Sequence, residues 1–503
     1  MPDDANLYSE FRRHFPGSDA PLLTTPDGRT RTYGDAERES ARLARALSDL
    51  GLVPGDRVSV QVEKSPAAIW LYFACLRAGF VFHPLNTAYT AAELAYFLDD
   101  AAPALVVHDP ATAHGLAALC ARLGIAHRLT LDETGQGTLS ELVSSAAPDF
   151  EVVPRAPDEL AALLYSSGTT GKPKGIEITH RNLAVNARAL TAAWEFRRDD
   201  VLLHALPIFH VHGLFISLGC TLLSGSRLLF LPKFDVAAVL AALPEATVMM
   251  GVPTYYTRLL GASAFTAEAA AHLRLWTCGS APLLPETFRA FEQRTGRTIV
   301  ERYGMTETGV ITSNPVRGAR KAGAVGPPLP GVELRIVDDA GAPVGTGTIG
   351  HVQVRGPNVC RGYWRRPEKT AEDFTAERFF NTGDDGVLDG DGYLALVGRA
   401  KDLIITGGLN VYPKEIEEVL DAQPGVLESA VIGLPHADFG EEVVAVLVMK
   451  AGAACDETAL RAAVKDCLAG YKRPKRYVLR PALPRNAMGK VQKNVLREEL
   501  AAA

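Results

Sequence analysis

A chain of 503 residues is too long for one simple core, and its balance of 47% hydrophobic and 22% charged residues excludes disorder over any large fraction. Its 52 basic and 58 acidic side chains give a formal charge of −6, which argues against bulk attraction to nucleic acid or to an anionic membrane. The seven cysteines are scattered and contain no C-x-x-C pair, which argues against a disulfide framework or zinc site and for a reducing, cytoplasmic setting.

The first segment, MPDDANLYSEFRRHF, places Asp3, Asp4 and Glu10 before its two arginines and has no apolar run of signal-peptide length, so no export signal is expected. From Tyr33 onward, helical stretches such as ERESARLARALSDLG alternate with short apolar strands such as RVSVQVE and ALVVHD, the pattern of an α/β protein. Gly51 and Gly79 stand where helices should stop. The most apolar region, about 202–234, is interrupted by His204, Pro207, His210, His212 and Arg227, and reads as buried core rather than a membrane span.

Near residue 350 the texture changes. IGHVQVRGPNV reads as strands, DGDGYLALVGRAKDLIITGG as a turn followed by strands, and YPKEIEEVLDAQPG as a capped helix. AVIGLPHADFGEEVVAVLVMK and ETALRAAVKDCLAGYKRPKRYVL then read as strand, loop, strand, helix, strand. A large unit over 1–400 and a smaller α+β unit over 401–503 are expected.

The string YSSGTTGKPKG, from Tyr165 to Gly175, gathers three glycines, four hydroxyls and two lysines after an apolar run. Such a loop can offer backbone N–H groups, hydroxyls and ammonium charge to a polyphosphate, although it is not a Walker A loop. Alone, it also reads as a solvated turn between a strand and a helix. Downstream come YGMTET at 303–308, TGD at 382–384, GRAKD at 398–402 and the pair Gly489-Lys490.

In order and spacing these strings resemble the motifs of the adenylate-forming superfamily, which includes acyl-CoA synthetases, firefly luciferase and nonribosomal-peptide adenylation domains. The resemblance implies a large N-terminal α/β domain of several subdomains and a small mobile C-terminal α+β domain carrying a catalytic lysine. It also implies a reaction in which a carboxylate attacks the α-phosphorus of ATP, pyrophosphate leaves, and the acyl group passes to coenzyme A. By the same resemblance Ser166, Ser167, Thr169, Thr170 and Lys174 would cradle the β- and γ-phosphates. Glu307 would hold Mg²⁺, Thr306 would touch the α-phosphate, and Tyr303 would stack on adenine. Asp384 would accept both ribose hydroxyls, with Arg399 adding donors to that sugar. Lys490 would bridge the attacking carboxylate and the α-phosphate. Lys401 would be the hinge, and rotation would bring Gly407 and Gly408 beside a pantetheine arm. The setting PRNAMGK resembles a site where a lysine acetyltransferase, acting on Lys490, silences such enzymes.

Within the superfamily, HALPIFHVHGLF, GVPTYYTRLL, GSAPLL, ERYGMTET, TSNP and PRNAMGKVQKNVLRE resemble malonyl-CoA synthetases. That implies ATP-dependent ligation of malonate, or methylmalonate, to CoA. Arg302 would anchor the substrate's second carboxylate, Ser280 would partner it, His210 would line the pocket and Met305 would sit near the α-carbon. Read locally, Arg302 could instead form a salt bridge with Glu301, and His210 with His212 could be satisfied core residues. Two departures bear on the exact acid: Gly309-Val310-Ile311 where an asparagine-containing string is usual, and Cys278 where a serine is common. The competing readings are a synthetase for another small or medium carboxylic acid, an adenylation enzyme loading a carrier protein, and a non-catalytic nucleotide sensor.

Overall fold

The computed structural model describes residues 4–112, 115–166, 173–399, 402–406, 409–436, 440–468, 470–486 and 489–501. Local rules account for its elements. The helix Tyr33–Asp49 starts at a capping box, in which the Thr32 side chain accepts the Asp35 N–H while Asp35 accepts the Thr32 N–H. The helix Pro66–Ala78 has Ser65 as its cap and proline in its first turn, and it stops at Gly79 in the left-handed region, φ 73°.

Among the described residues the strands form four sheets. In the eight-stranded sheet, Val201–His204, Val248–Gly251, Leu275–Cys278 and Val300–Met305 run parallel. Their carboxyl ends, His204, Gly251, Cys278 and Met305, therefore emerge on one edge, the edge at which open α/β sheets bind ligands. A seven-stranded sheet is built around the parallel strands Arg57–Gln61, Val81–Pro84 and Leu105–His108. One apolar cluster draws on both sheets and on the helices Tyr33–Asp49, Pro66–Ala78, His180–Ala193 and Ser217–Ser224. The apolar stretch at 202–234 breaks into strands and short helices, and no helix among the described residues is long and apolar enough to cross a membrane.

The phosphate-loop string joins two antiparallel strands, Leu160–Ser166 and Lys174–Thr179, rather than a strand and a helix. The reason is local: KGIEIT buries its two β-branched isoleucines and forms a strand, and only Thr179 then caps the helix His180–Ala193. A four-stranded antiparallel sheet follows, with Asp384 inside the strand Phe380–Leu388. Near the C-terminus, Val426–His436 pairs antiparallel with Gly440–Met449, and Arg476–Leu479 joins the latter in parallel. Alternation along Gly440–Met449 sends Val443, Ala445 and Leu447 into one apolar cluster and Val444, Val446 and Val448 into another. The helix Pro413–Asp421 lacks the expected side-chain cap; proline at its first position starts it instead.

One buried ion pair stabilises the large sheet. The Asp200 carboxylate accepts hydrogen bonds from Arg274 and from Thr247 Oγ1 at 2.8 Å, and the Arg197 N–H at 2.8 Å. Arg274→Ala strands that carboxylate and is expected to destabilise the fold by about 3 to 5 kcal/mol. Chemical denaturation tests this; an unchanged midpoint refutes it.

Candidate active site

On the nucleotide side, Tyr303 Oη donates to Asp384 Oδ2 at 2.5 Å, joining two residues 81 positions apart. Both side chains are buried. Asp384 pairs in register with Arg399, whose backbone thus lies beside it; the Arg399 side chain is outside the description. Next in the strand, buried Asp385 meets the His351 ring at 2.7 Å.

On the phosphate side, Ser167, Thr169 and Thr170 lie outside the described residues, as does the side chain of Ser166. Lys174 opens the return strand, its ammonium 4.7 Å from the Tyr363 ring centre and 3.7 Å from Asp373. The Tyr363 phenol is pushed up by burial and then by the charges of Glu307 and Asp373, which puts Lys174, Tyr363 and Glu307 in one electrostatic neighbourhood. Thr306 and the buried Glu307 line a small cavity with Asn182, Asn186 and Asn358, and Asn358 Oδ1 is left without a hydrogen-bond partner. Among the described residues no group of three His, Cys, Asp or Glu side chains could hold a metal ion. A lone carboxylate suits Mg²⁺, which keeps water and phosphate oxygens as most of its ligands.

Lys490 sits in a tight turn. Its N–H donates to Asn486 Oδ1 at 2.9 Å, and the Asn486 N–H donates to the Lys490 carbonyl at 2.9 Å. Gly489 has φ 77°, and a Cβ there would stand 3.4 Å from Thr254 Cγ2. Thr254 lies in the helix Pro253–Leu260, directly after the carboxyl end of Val248–Gly251, so the turn carrying Lys490 reaches the ligand edge of the large sheet. Lys401, Gly407 and Gly408 lie outside the described residues. Beside them, Asp402 pairs with Arg497 at 2.8 Å, and Lys414 Nζ donates to the Leu396 carbonyl at 2.5 Å.

A further cluster is built around Arg302. Its guanidinium is buried against Gly279, where any Cβ would collide with it, and Nε and Nη2 have no hydrogen-bond partner. Burial pushes its pKa down to about 10, so it stays charged at neutral pH. The nearby Cys278 thiol and Tyr256 phenol are pushed well up by burial and are neutral. The salt bridge with Glu301 does not form. Neighbours in a strand point to opposite faces, and Glu301 instead accepts the Leu283 N–H at 3.3 Å, with burial raising its pKa to about 7.

Around Arg302 stand two histidines and a serine. His210 Nδ1 accepts the His212 N–H at 3.2 Å, and His212 Nδ1 lies 3.3 Å from Ser280 Oγ. His212 Nε2 is buried without a partner, so the two rings are not a satisfied core pair. Burial, then the charge of Arg302, pushes His210 down to about 4 and His212 well below the usual range, keeping both neutral. Ser280 adopts φ 71°, a left-handed backbone that costs a non-glycine residue energy. Met305 is half-buried at the end of its strand. Donors with unmade bonds around a buried cation make a site for an anion.

The AMP-binding enzyme family matches residues 11–364, and its C-terminal domain matches residues 415–490. The chain belongs to the AMP-binding enzyme family. It is 35% identical to the malonate–CoA ligase of Arabidopsis thaliana, over 94% of this chain and 85% of that one. It is 37% identical to the feruloyl-CoA synthase of an Amycolatopsis species, over 93% and 94%. These relatives place it among the acyl-CoA ligases. ATP-bound MatB from Rhodopseudomonas palustris superposes with a TM-score of 0.97 at 49% identity, covering 99% of both chains, while the apo form of that protein reaches 0.86. The fold is therefore the adenylate-forming one, a large N-terminal domain followed by a small C-terminal domain.

In this AMP-binding enzyme His212, which the sequence offers only as a core histidine beside His210, contacts Ser280 across the cluster. The departures sort themselves by position. Val310 and Ile311 are fully buried in the main core, where Asn186 holds both the N–H and the carbonyl of Val310, whereas Cys278 pairs in register with Glu301 and packs into a second apolar cluster.

Proposed function

We propose that this enzyme is an ATP-dependent CoA ligase for malonate or methylmalonate, forming the acyl-AMP and then the acyl-CoA with release of pyrophosphate and AMP. The observation that carries this reading is the buried Arg302, with two N–H groups unmade, beside His212 and Ser280 and with no carboxylate of the described residues paired to it. A dicarboxylate supplies the missing anion while its other carboxylate reacts.

In this reading residues 1–400 bind ATP and the acid, and 401–503 form a mobile unit carrying Lys490. Tyr303 stacks on adenine, and Asp384 with Arg399 holds the ribose. Ser166, Ser167, Thr169, Thr170 and Lys174 hold the terminal phosphates, and Thr306 touches the α-phosphate. Glu307 would hold Mg²⁺, which would supply neutralisation of the phosphate charge. Lys490 steadies the attacking carboxylate against the α-phosphate, where negative charge concentrates. Rotation about Lys401 then withdraws Lys490 and presents Gly407 and Gly408 to the CoA arm.

The test is pyrophosphate release with Mg-ATP and CoA across malonate, methylmalonate, succinate, acetate, butyrate and ferulate, with each thioester identified by mass. Malonate or methylmalonate is expected to exceed acetate and butyrate in kcat/KM by at least about a hundredfold, the factor that corresponds to roughly 3 kcal/mol for leaving a buried charge unpaired. Preference for acetate, butyrate or ferulate would make Arg302 a structural residue.

A further inference from the structure

Lys64 follows the strand Arg57–Gln61 and precedes Ser65, the cap of the helix Pro66–Ala78. It is a buried lysine whose amine meets no carboxylate among the described residues. Nζ lies 2.7 Å from His204 Nδ1 and 2.8 Å from the His204 carbonyl, with the Phe230 ring centre at 4.5 Å. Burial drives the amine well below its ordinary pKa, and charged or neutral it has an N–H bond for each of the two acceptors that face it.

The other edge of the imidazole is tied just as closely. His204 Nε2 lies 2.8 Å from the Gly213 carbonyl. A carbonyl only accepts, so Nε2 must carry the proton and Nδ1 must accept. Gly213 belongs to a single π turn, His212–Ile216, and any side chain at Gly213 would collide with the Pro207 carbonyl. Such turns are rare and concentrate at functional sites. The residue before Gly213 is His212, which faces Ser280 in the Arg302 pocket.

We propose that Lys64 is a positioning residue for the acid pocket: by donating to His204 Nδ1 it fixes the tautomer in which Nε2 donates to the Gly213 carbonyl, and so holds the π turn that presents His212 beside Ser280 and Arg302. The proposal rests on reading that pocket as the acid-binding site. Without Lys64, the buried Nδ1 loses its donor, and the tautomer protonated at Nδ1 and turned to the carbonyl of His204 itself becomes populated. The lone pairs of Nε2 and the Gly213 oxygen then face each other, and the π turn shifts.

The experiment uses the full-length enzyme and whichever acid gives the highest kcat/KM, so a different acid preference would overturn the malonate reading without touching this one. Lys64→Met is expected to raise KM for the acid at least about tenfold, with KM for ATP within about twofold, because misplacement by a fraction of an ångström acts on the group it displaces. His204→Gln supplies an amide donor to Gly213 whatever its other neighbour does. In that background Lys64→Met is expected to change KM for the acid by less than about twofold, the signature of two residues acting through one contact. An equal loss in both backgrounds would mean that Lys64 acts through packing and would overturn the proposal, as would an unshifted KM in Lys64→Met. A second comparison stands independently of the folding of Lys64→Met: His204→Asn, whose amide lies on the Nδ1 side and falls short of Gly213, is expected to lose acid affinity where His204→Gln keeps it. Equal KM in those two variants refutes the assignment.

Discussion

Arg302→Met is expected to lower kcat/KM for malonate by about a hundredfold to a thousandfold and to leave acetate turnover unchanged or improved. In the ligand-free protein Arg302 is a cation enclosed by neutral groups, with Nε and Nη2 partnerless and His210, His212, Cys278 and Tyr256 all held uncharged by burial. A distal carboxylate placed there makes charge-assisted, bidentate bonds in a dry pocket. Removing the guanidinium leaves that carboxylate buried without a partner, at about 3 to 5 kcal/mol, which is the stated loss in rate. The same substitution has an opposite effect on stability. A buried cation without an anion is costly, so the ligand-free variant is expected to melt above the wild type, and malonate should no longer raise its melting temperature. Arg302→Lys is expected to resemble the methionine variant in rate, because an ammonium replaces a planar fork with a point charge. Kinetics for each acid, together with thermal melts, check both arms; equal losses for malonate and acetate would separate Arg302 from acid recognition.

What was legible in the sequence was whatever depends on neighbours in sequence. The alternation that sends Val443 and Val444 into different apolar clusters, the stop at Gly79 and the start at Thr32 are all local, and they set the α/β class and the texture change near the small domain. What was not legible was non-local or depended on a strand too short to stand out. KGIEIT is six residues between a glycine-rich loop and a helix cap, too short for its local text to separate it from the helix that follows. The Arg302–Glu301 salt bridge was excluded by a rule that needs the strand first, since residues next to each other in a strand diverge. His212 meets Ser280 across 68 positions and Lys64 meets His204 across 140, and no composition or spacing announces such pairs. The cluster around Arg302 was thus visible as a set of residue types, while its unsatisfied donors, on which the proposed preference for a second carboxylate rests, appeared only in three dimensions.

Lys490→Ala is expected to slow adenylation by about a thousandfold or more while leaving thioester formation from supplied malonyl-AMP within about threefold of wild type, the order of loss seen when a single group placed against developing charge is removed. The geometry gives the reason for the asymmetry. Lys490 is held by reciprocal bonds with Asn486 in a turn whose Gly489 combines a left-handed backbone with close approach to Thr254, so its position depends on the small domain lying against the large one. A residue delivered by docking can serve only the half-reaction that occurs while docked. Gly489→Val offers a separate handle, because it burdens the left-handed turn and presses on Thr254 without removing the ammonium. It is expected to reproduce the adenylation defect more mildly and likewise spare the second step. Pyrophosphate exchange measures the first half-reaction and CoA acylation from synthetic adenylate the second. Equal loss of both steps in Lys490→Ala would mean that the lysine remains in place throughout turnover, and the division of the reaction between two docked arrangements would have to be abandoned.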